Sequence, residues 1–511
     1  MTALLVSLIN LSLSCYPDRL EYVDQVLHFA KTKVQEFSDN PDLHHPATTQ
    51  SLLSLLLAPV QSYVTPLTLL ALPSYVELIS VQPYSTRRSI AHALVSAILK
   101  TETVIDTPED VKGVLDLCHV LVRDQKDMSA PVHPAMSRSR SQQGYDQAAM
   151  AQEQGWIARM VHLFRSDSLD VQLKLLQTAR KEFAEGGERV RWTFPSLIVG
   201  AIKLARRYKY RESAIVDWDE KIAIVFKFIH SSTAFLYNKV ESSESCLRLY
   251  LLALSSADEC GLEELAYEFA VEAFTIYEDS ISESRAQLQA ITLIIGTLQT
   301  TQVFSEDNYD TLITKAALHG AKLLKKGQQA TAVALASHMW WQSDRREGAP
   351  LRDGKRVLEC LQKSLRIATS SIDELTSVQL YCDALDQYLY YFERQVEAIS
   401  AKHINSLIEL ISSSLDQLPQ QSSGPTDFPS NAGGATAGLI EGINTVEAVQ
   451  RHFRNTLLYI HSRKQGAGLQ PHAIAGAAPQ SANEETGEAL RELFNDVDVA
   501  GPLLKYGGGS S

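Results

Sequence analysis

The sequence predicts an all-α protein built as a stack of helical hairpins. Apolar residues recur at i, i+3, i+4 and i+7 through most of the 511 residues, whereas strand patterns are nearly absent. Roughly eighteen to twenty helices are predicted, and helix pairs recur at roughly 35 to 45 residues. Such pairs cannot bury an apolar face alone and therefore stack into a solenoid. A set of compact bundles is the competing architecture, but residues 155–416 contain no long polar linker, which favours one continuous stack.

The first predicted element is the apolar run from Leu4 to Leu13. It lacks the basic residues that open a signal peptide and is too short to span a bilayer, so a buried helix is predicted. Elsewhere the sequence contains no apolar run of about 18 residues, and no transmembrane helix is expected. A core helix that begins at residue 2 also suggests a fragment cut from a longer protein.

Helix ends and helix faces are marked farther along the chain. Thr107-Pro108-Glu109-Asp110 combines an N-cap hydroxyl, a proline at the first helical position and acidic residues that face the helix dipole. Gly261 and Gly327 are predicted at helix ends, where a left-handed residue is needed. Three strongly amphipathic segments each place one set of residues on one helix face: Ile222, Val225, Phe226, Ile229, Thr233, Leu236 and Val240; Leu288, Ile291, Ile294, Ile295 and Leu298; Val357, Leu358, Leu361, Leu365 and Ala368.

Three polar stretches interrupt the helical pattern. They are rich in Ser, Gln, Pro, Gly or Ala, a composition typical of flexible or disordered chain. The sequence therefore predicts the following division: solenoid repeats at 1–127, a flexible loop at 128–154, a C-terminal solenoid at 155–416, a disordered insertion at 417–444, a capping helix at 445–463 and a mostly disordered tail at 464–511.

Composition narrows the range of functions. The chain has 47 Lys and Arg against 60 Asp and Glu, a net charge of −13. That balance argues against binding to nucleic-acid phosphates, which requires a basic surface. The six cysteines include no CxxC pair, so reduced, mostly buried thiols of a cytosolic protein are predicted rather than a secreted disulfide framework.

Catalytic and cofactor motifs do not emerge from the sequence. The segment from Gly348 to Arg356 is similar to a phosphate loop, but its glycines are one residue too far apart. Neither HExxH nor GxSxG occurs. His44-His45 lacks a spaced third ligand, so a solvated pair is favoured over a metal site. We therefore expect a protein that is not an enzyme and that holds no cofactor or metal.

One feature that points outward is the segment from Ser337 to Trp341, which carries a histidine and two tryptophans at a helix end. Two adjacent tryptophans cannot both face one core, so at least one is predicted to be partly exposed or packed against the next repeat. Packing between repeats is the favoured interpretation for the tryptophans and, from the residues alone, for His338.

A second feature that indicates a partner is a pair of oppositely charged clusters. Glu278, Asp279 and Glu283 form an acidic junction between two helices, and Lys322, Lys325 and Lys326 form a lysine cluster just over one repeat later. Lysines at a helix C-terminus are favoured by the helix dipole alone. Two opposite patches of this kind also suit pairing across a twofold axis, where each copy supplies both partners.

A series of motifs follows a recognisable order and spacing. Its members are Tyr16-Pro17-Asp18-Arg19, Thr178-Ala179-Arg180-Lys181 with Gly186-Gly187, Arg191-Trp192-Thr193-Phe194-Pro195, Ala266-Tyr267-Glu268-Phe269, Tyr277-Glu278-Asp279, Ala290-Ile291-Thr292-Leu293-Ile294-Ile295-Gly296-Thr297 and Gly354-Lys355-Arg356-Val357. The series resembles the C-terminal half of the large solenoid subunit of retromer, of the vacuolar protein sorting thirty-five family. The resemblance runs from about residue 2 to residue 463 and weakens at 128–153 and 417–484.

The resemblance implies a HEAT-like right-handed α-solenoid, elongated and curved, that acts as a noncatalytic scaffold in an endosomal cargo-sorting coat. In that family this half curls around a small subunit with a metallophosphoesterase fold. Family members often carry aromatic residues at the first three of the implied contact positions. Those positions are Val199, Ile202, Arg206, Val225, His338 and Trp341.

The resemblance also implies self-association at the apex of an arch, through the acidic junction and the lysine cluster. Exposed ion pairs contribute about 0–1 kcal/mol each, so the expected homodimer is weak and salt-sensitive. Such a contact suits a coat assembled by avidity on a membrane. The resemblance also implies recruitment of the actin-nucleation regulatory (WASH) complex. It further implies a cytoplasmic location at the endosomal membrane, with only indirect membrane contact. The implied process is cargo retrieval from endosomes to the Golgi and the plasma membrane.

One family motif is not assigned in this chain. The N-terminal half of family members carries an Arg-Leu-Tyr-Leu type motif that docks an arrestin-fold subunit, and the run from Leu247 to Leu251 matches those letters in a different place. Contact with the arrestin-fold subunit is therefore expected only through the missing N-terminal half.

The alternative function is that of another helical-repeat adaptor, of the transport-receptor or phosphatase-scaffold type. Transport receptors typically bind basic cargo, so tight binding of basic peptides would distinguish this alternative from the retromer scaffold.

Overall fold

The structure is a computed structural model and consists of α-helices joined by turns, so the predicted all-α class is confirmed. It describes residues 2–123 except 39, 41, 42, 44 and 64, and residues 140–342, 350–418, 445–465 and 491–506; for 140–147 it describes the backbone alone. Within these residues, β-structure is limited to the isolated bridges Ile105–Phe164 and Trp341–Arg352. The chain divides into two compact units, residues 1–276 and 277–511.

The first unit contains the helices before the boundary and most of α13. Their bounds are α1 Thr2–Cys15, α2 Leu20–Glu36, α3 Pro46–Ser62, α4 Pro73–Ser80, α5 Tyr84–Thr101, α6 Pro108–Leu117, α7 His119–Val122, α8 Arg140–Val161, α9 Leu169–Phe183, α10 Val190–Tyr210, α11 Trp218–Lys239, α12 Ser243–Cys260 and α13 Glu263–Ser280. Helices pack on their neighbours in sequence and on the next helix but one, as α10 does on α9, α11, α8 and α12. The helices α5 and α6 also pack on α8 and α9, respectively. Packing among helices that are close in sequence is typical of stacked helical hairpins.

The second unit follows the same rule. Its helices are α14 Ser284–Thr300, α15 Glu306–Ala321, α16 Lys326–Ala336, α17 Gly354–Thr369, α18 Glu374–Glu393, α19 Ala401–Gln417, α20 Val446–Lys464 and α21 Ala500–Tyr506. Each helix from α14 to α18 packs on its successor, and α18 also packs on α20. The unit boundary falls inside 155–416, where the sequence predicts one continuous stack, and the continuity of that stack stays a prediction.

Two of the predicted helix signals are confirmed and one is wrong. Thr107 caps α6, because its hydroxyl oxygen accepts from the Asp110 backbone N–H at 3.1 Å. Gly261 ends α12 with a φ of 79°, a conformation that favours glycine. Gly327, by contrast, lies in the first turn of α16 and is not a left-handed residue after a helix C-terminus. The lysines before it predict a helix C-terminus, whereas α15 has already ended at Ala321.

The predicted loop at 128–154 is wrong in its second part. Residues 140–154 belong to α8, while 128–139 lie outside the described residues. The segment from 147 to 154 is rich in Gln, Ala, Met and Glu, all good helix formers. Glu153 and Gln154 at its end are buried, so tertiary contacts fix the helix where polar composition suggested flexibility.

The predicted disordered tail is also wrong in part. Residues 491–506 pack on the second unit, with Phe494, Val497 and Val499 buried. Residues 466–490 and 507–511, and the predicted insertion from 419 to 444, lie outside the described residues. The predicted capping helix matches α20, whose N-cap Thr445 accepts from the Ala448 N–H at 3.2 Å.

Helix α1 buries only one of its faces, although a buried helix was predicted. Leu5, Ile9 and Leu13 are buried, because α1 packs on α2 and α3. Leu4 and Leu11 remain 74% and 57% exposed on the other face. Across the described part of the chain, no helix combines the length and the apolar character needed to cross a membrane.

Candidate interaction surfaces

The implied partner contacts of the first unit lie on two packed helices. We call them the first-unit patch: Val199, Ile202 and Arg206 on α10 and Val225 on α11. Ile202 is 1% exposed and Val225 is 0% exposed, because α10 and α11 bury these side chains between themselves and their neighbours. Direct contact of these two side chains with a partner does not fit this structure. Val199 is half-buried and Arg206 is exposed.

The charge of Arg206 is already compensated within the chain. Its Nε and Nη2 donate to the two carboxylate oxygens of Glu259 on α12, at 2.7 and 2.9 Å. A bidentate pair of this kind is geometrically specific and holds both side chains in place. The accessible part of the first-unit patch is therefore an apolar side chain beside a neutral ion pair.

In the second unit, His338 lies in the 3-10 turn Ser337–Trp340 that follows α16. Its Nε2 is 2.6 Å from Gln387 Oε1 on α18, and its ring packs at 4.9 Å from the ring of Tyr390. Burial first, and then the charge of Arg394, lower the pKa of His338. The side chain is therefore a neutral, half-buried imidazole that packs between elements and exposes only part of its ring.

The two tryptophans differ as predicted. Trp340 is 7% exposed, whereas Trp341 is half-buried and carries the Arg352 guanidinium 5.6 Å from its ring centroid. Trp341 also lines a cleft of about 1080 Å³ together with Gly354 and Val396. Trp341 is thus the more accessible of the two tryptophans.

The acidic junction is engaged within the chain at two of its three residues. Glu278 Oε1 accepts from Lys315 Nζ at 2.8 Å and lies 2.9 Å from His319 Nε2, both on α15. Hydrogen bonding to Lys315, followed by that to His319, lowers the pKa of the Glu278 carboxyl. These partners were missed from the sequence, although their i, i+4 spacing on a predicted helix was a usable signal.

Glu283 is the N-cap of α14. Its carboxylate accepts from the backbone N–H groups of Arg285 at 3.0 Å and Ala286 at 2.7 Å, and these bonds lower its pKa. A capping carboxylate has a structural reason to be present. Asp279 is exposed and has no ion-pair partner among the described residues. The junction therefore presents one carboxylate of this kind beside two that are held by hydrogen bonds.

The lysine cluster forms the turn between α15 and α16. Lys322 is the C-cap of α15, whereas Lys325 is the N-cap of α16 and Lys326 its first residue. All three are exposed, and none forms an ion pair with a described carboxylate. A cation at a helix N-terminus is disfavoured by the dipole, so the dipole explains Lys322 but not the other two.

The acidic junction and the lysine cluster lie at the same edge of the second unit. Ser284 Oγ, next to the capping Glu283, donates to Gln328 Oε1 on α16 at 2.7 Å. The charge of Lys325 contributes to the lowered pKa of Glu283. Leu324, between the lysines, is 83% exposed. Opposite charges and one apolar side chain thus share one accessible edge.

The described residues offer little for bond-making chemistry. They contain no group of three His, Cys, Asp or Glu side chains placed to hold a metal. All six cysteines are free thiols, and burial raises the pKa of Cys118 and Cys246 to about 12. A thiol with so high a pKa is protonated at neutral pH and is a poor nucleophile.

Comparison with known proteins gives one family over most of the chain. The model of the family "Vacuolar protein sorting-associated protein 35" matches residues 1–414. The protein of that name from Schizosaccharomyces pombe is 32% identical over 470 residues, which are 91% of this chain and 53% of that protein. Vacuolar protein sorting-associated protein 35A of Arabidopsis thaliana is 34% identical over 434 residues, 83% of this chain and 52% of that protein.

A more distant relative gives the same coverage. Vacuolar protein sorting-associated protein 35 of Dictyostelium discoideum is 28% identical over 413 residues, 80% of this chain and 51% of that protein. The chain therefore spans about half the length of the curated relatives it matches.

Proposed function

The chain belongs to the vacuolar protein sorting-associated protein 35 family, and from that membership we propose that it is a noncatalytic scaffold segment of the retromer coat. The observation that carries the proposal is the family match over residues 1–414. In this function the chain holds partner subunits while the coat retrieves cargo from endosomes to the Golgi and to the plasma membrane.

The proposed location is the cytoplasmic side of the endosomal membrane, where the chain binds peripherally and through partners. Its net charge of −13 supports indirect contact, because the cytoplasmic leaflet is itself negatively charged and attracts basic segments. Family membership supports one further partner, the actin-nucleation regulatory WASH complex.

The first proposed partner is a subunit with a metallophosphoesterase fold. In the first unit the proposed contact is Val199 beside the Arg206–Glu259 pair, with the buried Ile202 and Val225 supporting the helices from within. In the second unit it is the partly exposed His338 and Trp341. Each surface combines apolar contact area with a rigidly held polar group, a combination typical of interface hot spots.

Isothermal titration calorimetry with the purified phosphoesterase-fold subunit tests this proposal. We expect a tight one-to-one complex with the wild-type chain. Val199→Asp places a charge on the accessible contact and should raise the Kd at least about tenfold. Val81→Asp, at a position 48% exposed elsewhere in the first unit, is the matched control and should bind normally. If the wild-type chain does not bind the phosphoesterase-fold subunit, the partner proposal is wrong.

His338→Arg tests the second unit separately. The substitution replaces the imidazole that contacts Gln387 with a larger, charged group. Thermal unfolding is therefore measured beside the binding titration. Weakened binding at an unchanged Tm supports a direct contact. Weakened binding with a lowered Tm, or normal binding, assigns His338 to packing alone and confines the proposed contact to Trp341 and the first-unit patch.

The second proposed partner is another copy of the chain. The acidic junction of one copy would face the lysine cluster of the other, because both lie at one edge of the second unit. A twofold axis then forms each ion pair twice. The exposed Leu324 adds apolar area at the centre of these charges. The expected dimer is weak in solution and is strengthened when many copies assemble on a membrane.

A further inference from the structure

A cleft of about 850 Å³ lies in the first unit, between α10 and the turn that joins α8 to α9. Four cationic side chains line it: Arg165 on the turn, Lys203 and Arg207 on α10, and Arg211 at the α10 C-cap. We call this the basic cleft. On α10 the basic cleft adjoins the first-unit patch, because Lys203 follows Val199 by four residues and so lies about one turn along the same side of the helix.

The four cations of the basic cleft have no carboxylate partner among the described residues. Arg165 Nε donates to the His162 carbonyl oxygen at 2.6 Å and Lys203 is exposed. On the same helix, Arg206 pairs with Glu259 at 2.7 Å and Lys209 pairs with Glu212 at 2.7 Å. Arg206 and Lys209, which do not line the basic cleft, are thus paired with carboxylates. Among the described residues, the four cations that line it are not.

Two guanidinium groups of the basic cleft converge on one point. Arg207 Nη2 donates to the Asp167 carbonyl oxygen at 3.1 Å and to the Ser166 carbonyl oxygen at 3.0 Å. Arg211 Nη1 donates to the same Asp167 oxygen at 3.3 Å. Each guanidinium has five N–H donors in a fixed fork, so both retain several donors for a ligand. The backbone carbonyls hold the two groups together despite their like charge.

The electrostatic balance of the basic cleft is positive. Two carboxylates, those of Asp106 and Asp167, also line it, and both are exposed. Four cations against two carboxylates leave a formal charge of about +2. The pKa of His162 at the rim is lowered by partial burial and then by the charges of Lys203 and Arg165, as expected beside uncompensated positive charge.

The floor of the basic cleft is apolar and firmly packed. Phe164, Leu176 and Leu204 line it, and each is 1% exposed. The cleft is much larger than a single phosphate group, so the residues that flank an anionic group also have room on this floor. A flat anionic membrane would not enter such a cleft, and the chain's overall negative charge opposes that approach.

We propose that the basic cleft binds a phosphorylated serine or threonine side chain of a partner peptide. A phosphate monoester carries about two negative charges and three strong acceptor oxygens, which match the excess charge of the cleft and the two convergent guanidinium groups. Arg207 and Arg211 supply the planar donor forks and Lys203 a third cation. Val104, which also lines the cleft and is 48% exposed, offers apolar surface to the side chains that flank the phosphorylated residue.

Fluorescence anisotropy with the full chain tests the proposal. The probe is a short fluorescein-labelled peptide with one phosphoserine between leucines. We expect saturable binding that weakens as salt is added, and at least about tenfold weaker binding of the unphosphorylated peptide. The exposed pair Lys203→Glu with Arg211→Glu should weaken phosphopeptide binding at least about tenfold. Lys112→Glu with Lys239→Glu carries the same charge change elsewhere in the first unit and should bind as the wild type does.

The remaining outcomes overturn the proposal. Equal binding of the two peptides, equal binding to both double variants, or no binding to the wild-type chain would each do so. Inorganic phosphate is added as a competitor and phosphoinositide-containing vesicles are tested by co-sedimentation. If phosphate binds without any phosphopeptide binding, or if vesicles bind at the cleft and the peptide does not, the ligand is not a phosphorylated peptide. Displacement of bound peptide by phosphate supports the proposal without any variant.

Discussion

At the residue scale, Glu153 illustrates how one buried carboxylate fixes a helix. Its Oε2 accepts from Arg88 Nη2 at 2.7 Å and Arg88 Nε at 3.0 Å, and lies 2.8 Å from His92 Nε2. Burial favours the protonated form, but the bonds to His92 and Arg88 outweigh it and the carboxyl pKa is lowered. Glu153 thereby ties α8 to α5, in a segment whose composition predicts a loop.

Glu153→Gln should lower the free energy of unfolding by about 1–3 kcal/mol at neutral pH, because the partly exposed Arg88 guanidinium loses its carboxylate partner and the buried position loses its charge-assisted hydrogen bonds. Urea denaturation measures the change. Glu268→Gln, at an exposed position on α13, is the control and should change stability by less than about 0.5 kcal/mol.

The stability difference between the wild type and Glu153→Gln should depend on pH. The folded-state pKa of Glu153 lies below its usual value of 4.5, so its stabilising contribution is present above that value. The contribution is lost as the pH falls through the lowered folded-state pKa. The stability difference between wild type and Glu153→Gln should therefore narrow under acid conditions. A difference that stays constant from neutral to acid pH would contradict this role for the carboxylate.

Residue-scale pairings of this kind were not accessible from the sequence. Arg88 and His92 lie 65 and 61 residues before Glu153, and no local pattern links them. For His338, the position at a helix end was predicted correctly from the sequence, but the contact with Gln387 was not. Both contacts depend on which helices pack together, which is a tertiary property.

At the element scale, the segment 491–506 belongs to the second unit. The Phe494 ring packs edge-on against that of Phe392 on α18, with centroids 5.2 Å apart. Asn405 on α19 donates to the Asp496 carbonyl oxygen at 3.0 Å and accepts from the Asp498 N–H at 2.9 Å. One apolar contact and two hydrogen bonds from the Asn405 side chain to the backbone thus hold the segment in place. The segment is too short to be stable as an isolated helix.

Phe494→Ala should destabilise the second unit by about 3–5 kcal/mol, since a fully buried ring is removed. Leu504→Ala is the matched control on α21, where the side chain is 86% exposed, and should cost less than about 0.5 kcal/mol. Differential scanning calorimetry of both variants measures the shift in Tm. If the two variants unfold alike, the segment does not contribute to the unit.

At the scale of the whole molecule, a net charge of −13 opposes self-association. The edge that joins the acidic junction to the lysine cluster offers a local exception to that repulsion. Since exposed ion pairs contribute little individually and are screened by salt, the dimer of the proposed function should weaken as ionic strength rises.

Reversing the lysine cluster should raise the dimer Kd at least about tenfold, because each copy would then place carboxylates opposite carboxylates. Sedimentation velocity of the chain and of the triple variant Lys322→Glu, Lys325→Glu and Lys326→Glu, at low and high salt, measures the effect. The control reverses three exposed lysines elsewhere, Lys100, Lys112 and Lys363. Equal effects of the two triple variants would assign the loss to net charge rather than to this edge.

The helical class, the helix signals at Thr107 and Gly261 and the family can all be predicted from the sequence. Periodicity at 3.6 residues and local capping, as at Thr107, are properties of neighbouring residues and can be predicted without a fold. Gly261 was predicted correctly for the same reason, since a left-handed residue after a helix is a local requirement.

Which side chains are accessible depends on tertiary packing. Ile202 and Val225 are buried because α10 and α11 pack together, and Glu283 is committed to a cap. The unpaired cations of the basic cleft come from separate elements, so neither their convergence nor the absence of described carboxylate partners follows from spacing along the chain. Local order depends on short-range sterics and hydrogen bonds, whereas accessibility and charge compensation depend on helices that meet only after folding.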